Sequence, residues 1–261
     1  MGRLPVRTII LALVFALTIT IGARALTVSV AEFRLVADPE NLVEASFVLL
    51  NDEPRTVDVS LVVTDWDDNS DGVTVIHAVG TVSRSCGTWM TVDASSFSLG
   101  AFEERTIRIQ ARVPPDVRGT YWAGFLARIG SAAEATIAPT DVAVSSEALV
   151  RFFVTVPPAE EEAAVTELRV LSLEPFRVET RLSNTGDTRL CDVEGIVSLE
   201  GPSGQETSFS LPTVNVLPGH SLDVDMELPW QVDRSGLYLL RVVFDYGAET
   251  LIAGQIVVRV P

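Results

Sequence analysis

The sequence contains no lysine. All 19 basic residues among its 261 are arginine, and it has only two histidines and two cysteines. Every full-time cation is therefore a planar guanidinium with a fixed fork of donors. No His-x-x-x-His or Cys-x-x-Cys spacing exists, so a zinc site has no ligand set. His220 and Ser221 adjoin in "GHSLD", which lacks the nucleophile-elbow pattern and reads as a turn. A glycine-rich phosphate loop is missing as well. The carboxylate runs Glu103–Glu104 and Glu160 to Glu162 fall in turns or linker, where solvated charge explains them better than a glycosidase pair. These absences leave no catalytic constellation. The expectation is a protein that is not an enzyme and uses no cofactor.

Positive charge is scarce overall. The formal net charge is −16, which argues against nucleic acid as a partner, since binding there relies on clustered cations that displace counterions. Adsorption to anionic lipid is disfavoured for the same reason. Hydrophobic residues make up 47% of the chain, enough to build a core and to exclude wholesale disorder.

Residues 1–25 read as a secretory signal peptide. Arg3 and Arg7 precede the apolar run "TIILALVFALTIT", and "ARA" ending at Ala25 fits a small-x-small cleavage site. Cleavage there removes three arginines and no acids, taking −16 to −19. The expected location is the periplasm or the cell surface, with membrane contact only through an uncleaved signal segment. An exported chain permits a disulfide between Cys86 and Cys191. Two separate thiols are the other reading, because the pair is about a hundred residues apart in different candidate domains.

After the signal the hydrophobic period is two. Runs such as "TVDVSLVVTDW", "RTIRIQARV" and "LYLLRVVFDYG" alternate apolar and polar residues between Asp, Asn, Pro and Gly turns. No amphipathic helix of ordinary length is visible. This pattern predicts an all-β chain of two immunoglobulin-like antiparallel sandwiches in tandem. The Pro-Pro pair and acidic triplet of "VTVPPAEEEAAV" place a linker over 158–162, dividing a domain 26–157 from a domain 163–261. The halves share an internal logic. Each has an early strand ending in Asn ("FVLLNDEPRTV", "TRLSNTGDTRL"). Each later has a Gly turn before an aromatic strand ("VRGTYWAGFLA", "RSGLYLLRVVFDY"). Tyr121, Trp122 and Tyr238 are expected to pack in the cores.

The succession "FRLVAD", "FVLLNDEPRTVDVSLVVTDWD", "CGTWMTV", "RTIRIQARVPPDVRGTYWAGFLAR" and "LVRFFVTVP" resembles the first domain of periplasmic pilus chaperones and their wider bacterial relatives. The second half resembles the trailing sandwich of that set. The resemblance implies two sandwiches with a cleft between them and a protein that binds an exported client, pilin-like or a surface protein, by strand addition. It also implies a basic pair that grips the client's terminal carboxylate. Arg34 matches the member on the first strand, and Arg151 the member on the last strand of the first domain, where the family usually has lysine. A guanidinium suits a carboxylate through two parallel bonds. The candidate edge or donor strand runs through Val142, Val144, Ala148 and Val150. Ser146 is also small, and Pro139 interrupts the segment. An alternative is a structural envelope or surface adaptor of two sandwiches without chaperone activity. A sugar binder using Trp66, Trp89, Trp122 or Trp230 as platforms stands third.

"TDWDDNSDGV" spells half of a calcium loop from Asp67, with Gly72 at position six. Position twelve is Ala78, where a bidentate Glu is required. The stretch is expected to be a hairpin turn, with a calcium contact from Asp65, Asp67, Asn69 and Asp71 as the metal alternative.

Overall fold

The computed structural model describes residues 26–37, 42–130, 147–230 and 235–261. The signal segment 1–25 and the donor positions Val142 and Val144 lie outside the described residues.

Among the described residues there are eighteen strands and a single 3-10 turn at Gly87–Trp89. In the first half the strands are β1 (Leu26–Val28), β2 (Glu32–Val36), β3 (Leu42–Asn51), β4 (Val57–Asp68), β5 (Thr74–His77), β6 (Met90–Val92), β7 (Ser96–Leu99), β8 (Glu104–Arg112), β9 (Gly119–Ile129) and β10 (Glu147–Val156). One sheet has the order β1-β3-β8-β6; the facing sheet has the order β2-β10-β9-β4-β5, with β7 beside β4. The second half comprises β11 (Ala163–Leu173), β12 (Phe176–Asn184), β13 (Leu190–Glu200), β14 (Glu206–Ser210), β15 (Val214–Val216), β16 (Ser221–Glu227), β17 (Gly236–Asp245) and β18 (Ile252–Val260). Its sheets run β11-β12-β16 and β14-β13-β17-β18, with β15 on β13.

The period-two pattern becomes two sandwich cores. Phe47, Ile107, Phe125, Phe152 and Leu99 fill the first; Phe176, Leu182, Val197, Leu240 and Phe244 fill the second. Alternation puts the intervening residues of each strand on the opposite face. The ladders between these strands are antiparallel with one exception. The opening segment switches sheets, so that β1 pairs β3 while β2 runs parallel to β10.

The repeated Asn is the same device in both halves. Asn51 donates Nδ2–H to the Arg55 carbonyl at 2.8 Å, and its Oδ1 accepts the Glu53 N–H at 3.0 Å. Asn184 donates to the Thr188 carbonyl at 2.8 Å and accepts the Gly186 N–H at 3.1 Å. Each also reaches a carbonyl across the sandwich, Gly100 for Asn51 and Val216 for Asn184. A short side chain with both donor and acceptor can staple such a turn while buried.

The segment between β10 and β11 is strapped rather than free. Glu162 and Glu160 carbonyls accept N–H groups of Thr185, Gly186, Asp187 and Thr188. The half-motif at Asp67 is a hairpin turn, as its flanking strands imply. Asn69 Oδ1 accepts the N–H groups of Asp71 and Val73, and β4 pairs antiparallel with β5. The four candidate calcium ligands do not converge. Asp65 is buried and accepts Thr81 N–H, Val82 N–H and Ser85 Oγ–H, whereas Asp67 faces His77 at 3.1 Å. No group of three potential metal ligands occurs among the described residues.

The Cys86–Cys191 bridge is not formed; both are free thiols. Cys86 is sealed in the first core, and Cys191 lies on β13 at the cleft, so the two belong to different compartments. The tryptophans are not open platforms. Trp66 and Trp122 are 1% exposed, Trp89 packs on Tyr121, and Trp230 sits between Phe176 and Tyr238.

Candidate functional site: the inter-sandwich cleft

On β2, Phe33 and Leu35 turn into the first core, which leaves Glu32, Arg34 and Val36 on the outer face. On β10, Val150, Phe152 and Val154 turn inward and leave Arg151, Phe153 and Thr155 outside. The ladder aligns these faces in rows. Gly124, Arg151 and Glu32 form one row; Trp122, Phe153 and Arg34 form the next. Arg34 and Arg151 are thus diagonal neighbours on one face, and the second sandwich covers it.

The cover is partly apolar. Leu217 of the second sandwich joins Trp66, Trp122 and Phe153 in a buried cluster, and the His220 ring meets Trp122 edge-on at 5.9 Å. Backbone bonds also cross. Thr120 N–H donates to the Asp187 carbonyl at 2.7 Å, and Asp223 N–H donates to the Ser70 carbonyl at 2.9 Å. The second bond plants the Asp67 hairpin on β16. Gly119 permits the first. Its φ of +79° suits glycine, and a Cβ there would meet the Asp187 carbonyl oxygen at 2.4 Å.

Arg151 lies with its guanidinium 4.8 Å from the Trp66 ring centre and donates Nη2–H to Thr74 Oγ1 at 2.8 Å. Gly124 makes room for this stack, since a Cβ there would press on Leu149 at 2.6 Å and Trp66 at 3.2 Å. The Arg151 Nε is buried without a hydrogen-bond partner. Arg34 is half exposed and pairs with Glu32 at 2.6 Å and with Asp192 of the second sandwich at 3.4 Å.

Between them stands Arg189, which sequence reading did not single out. Its side chain is 9% exposed, its guanidinium lies 4.0 Å from the Phe153 ring centre, and its Nη1 donates to Glu32 Oε1 at 2.8 Å. The available signal was "TRLC": Leu190 opens a strand facing the core, so the residue before it faces the other way. Two cavities flank Arg189, and it lines both. One of roughly 250 Å³ also carries Arg151, Trp66, Asn215 and His220. The other, of roughly 470 Å³, carries Arg34, Thr120, Cys191 and Thr188, whose buried hydroxyl is unpartnered. Burial pushes the Glu32 carboxyl up, but hydrogen bonds from Arg189 and Arg34 outweigh it and leave Glu32 below the usual carboxylate range. Burial pushes the Cys191 thiol up, against the pull of Arg189 and Arg34.

The candidate donor positions divide. Val150 is fully buried in the first core and Ala148 packs against it, so both side chains face inward. The backbone is another matter. Among the described residues, β2 pairs with β10 from Arg151 onward, while 147–150 have a ladder partner only on the β9 side.

No family model matches the chain, and no curated protein matches it. Solved structures do. A chain of a chaperone–tip adhesin complex, described as vital for synergistic activation of CFA/I fimbriae biogenesis, matches with a TM-score of 0.50 at 10% identity, over 90% of this chain and 99% of that one. The class 5 fimbriae chaperone CfaA gives a TM-score of 0.48 at 10% identity, over 90% of this chain and 99% of that one. The E. coli chaperone DraB gives 0.40 at 15% identity, over 90% and 96%. At 10% identity the first similarity is one of fold: two immunoglobulin-like sandwiches in tandem.

Proposed function

We propose that this protein is an exported, non-enzymatic protein-binding module, a periplasmic chaperone-like assembly factor for a pilin-like or surface client. The observation that carries the reading is the cleft: Arg34, Arg151 and Arg189 gather on one covered face, in a chain whose net charge is −16. Cations concentrated against that background form a receptor for an anion, and a client's terminal carboxylate is one that guanidinium donors grip well. The fold shared with a chain of a chaperone–adhesin complex supports the same reading.

Strand addition supplies the second half of the interaction. The side of residues 147–150 away from β9, which has no ladder partner among the described residues, continues the line of β2, and backbone donors and acceptors there suit an added strand. A strand seated at that edge leads towards the Arg151 row. The inward turn of Ala148 and Val150 means that backbone bonds, not donated side chains, carry the affinity at those two positions.

Affinity capture of envelope proteins with the tagged, exported chain tests the proposal. A defined client should co-purify with the wild type and be lost with Arg34→Ala or Arg151→Ala. Unchanged recovery with both residues replaced overturns it. Retention of a client-free protein in the washed envelope would instead favour the adaptor reading.

A further inference from the structure

The cleft already contains a carboxylate. One oxygen of Glu32, Oε1, accepts Arg34 Nε at 2.6 Å and Arg189 Nη1 at 2.8 Å, so a single atom holds guanidinium groups from both sandwiches. Glu32 is the one ion-pair partner of Arg189 among the described residues. A guanidinium as buried as Arg189 needs a carboxylate, because an uncompensated charge out of water is strongly destabilising. Arg151 is different. It makes no ion pair among the described residues, and its Nε is unpartnered. Yet Glu32 and Arg151 are register partners on adjacent parallel strands with side chains on one face, about 4.8 Å apart at the backbone.

We infer that Glu32 is a resident carboxylate, occupying the seat of the client's terminal carboxylate and holding down the cleft's affinity for it. This rests on the reading of the cleft as a carboxylate receptor. An incoming carboxylate must displace Glu32 to take the donors that Arg34 and Arg189 give it. It enters by exchange: the client takes the Arg34 and Arg189 donors, and Glu32 turns along its row to Arg151. The buried Arg189 has a carboxylate before and after the exchange, Arg151 gains one, and no proton needs to move. A chain end without a charge offers the two arginines only a neutral acceptor and leaves Glu32 in place. The resident carboxylate therefore lowers affinity for a charged chain end and leaves the binding of internal strands and amidated ends unchanged.

The test uses the full mature chain, a synthetic peptide of alternating valine and threonine with a free C-terminal carboxylate, and the same peptide amidated. Glu32→Gln keeps an acceptor oxygen for the arginines but removes the competing charge. It should bind the free acid about tenfold tighter than the wild type and bind the amide as the wild type does. Equal or weaker binding of the acid by Glu32→Gln overturns the inference. Acid and amide bound alike by both proteins, or by neither, overturns the carboxylate reading itself. If Glu32→Gln fails to fold, the wild type still decides. The acid should shift the NMR signals of the Glu32 carboxyl carbon and the Arg34 Nε–H together, and the amide should not. A Glu32 signal indifferent to saturating acid counts against the exchange.

Discussion

The indole N–H of Trp122 donates to the backbone carbonyl of Trp66 at 2.6 Å, and the indole of Trp66 donates to the Ala123 carbonyl at 3.0 Å. The two tryptophans thus lock β4 to β9 beyond the reach of the ladder, which pairs these strands only from Val59 to Thr64. Their rings, with Phe153, form the apolar floor on which Leu217 of the second sandwich rests.

Replacing Trp122 by Phe removes one donor and leaves the buried Trp66 carbonyl short of a partner. It also opens space beneath Leu217. The expected loss is about 2–4 kcal/mol, from an unsatisfied acceptor plus a partly filled cavity. Urea unfolding followed by tryptophan fluorescence measures it. A loss below about 0.5 kcal/mol would show that the indole bond contributes nothing to the fold.

Asn51 and Asn184 make matching bonds in separate sandwiches. Asn184→Ala should destabilise the second sandwich by about 2–3 kcal/mol, through carbonyls of Val216 and Thr188 left without their donor. Asn51→Ala should do the same to the first. Hydrogen exchange localises each effect, and a loss spread evenly over both sandwiches would contradict it.

Acid should loosen the cleft. Glu32 and Asp223 both sit below the usual carboxylate range, Asp223 because Arg181 hydrogen-bonds it. For a depressed carboxyl, the folded state binds its proton less readily than the unfolded chain does. The stabilisation is therefore complete above the ordinary value near pH 4 and disappears as pH falls through the folded value. Melting temperature should stay level from about pH 6 to 8 on account of these groups and fall below about pH 4. Glu32→Gln should flatten part of that acid limb. An identical limb in the variant would exclude Glu32 as a contributor.

The thiols should differ in access. Cys86 is fully buried and burial pushes its thiol up, whereas Cys191 is half-buried and lines the larger cavity. A thiol reagent should modify one cysteine in the native state, slowly at pH 7 and faster above about pH 9, because the thiolate is the reacting form. Cys191→Ser should abolish that phase. Two reactive thiols in the folded protein would contradict the buried placement of Cys86.

Alternation and turn chemistry are local properties, and the order of residues alone was enough for the features that depend on them. These are the two sandwiches, the matching Asn turns and the hairpin at Asp67. Arg34 and Arg151 were named by resemblance to pilus chaperones, and their shared outer face comes from the ladder that pairs β2 with β10. Contacts between residues far apart in the chain came from the folded molecule only. Glu32 and Arg189 are 157 residues apart, and nothing local to either names the other. The half calcium motif was legible as a turn. Its second duty, offering the Ser70 carbonyl to Asp223 as a strut between sandwiches, was not. Such contacts arise when two finished sandwiches dock, and docking is governed by the shape and charge of assembled faces rather than by the succession of residues within a strand.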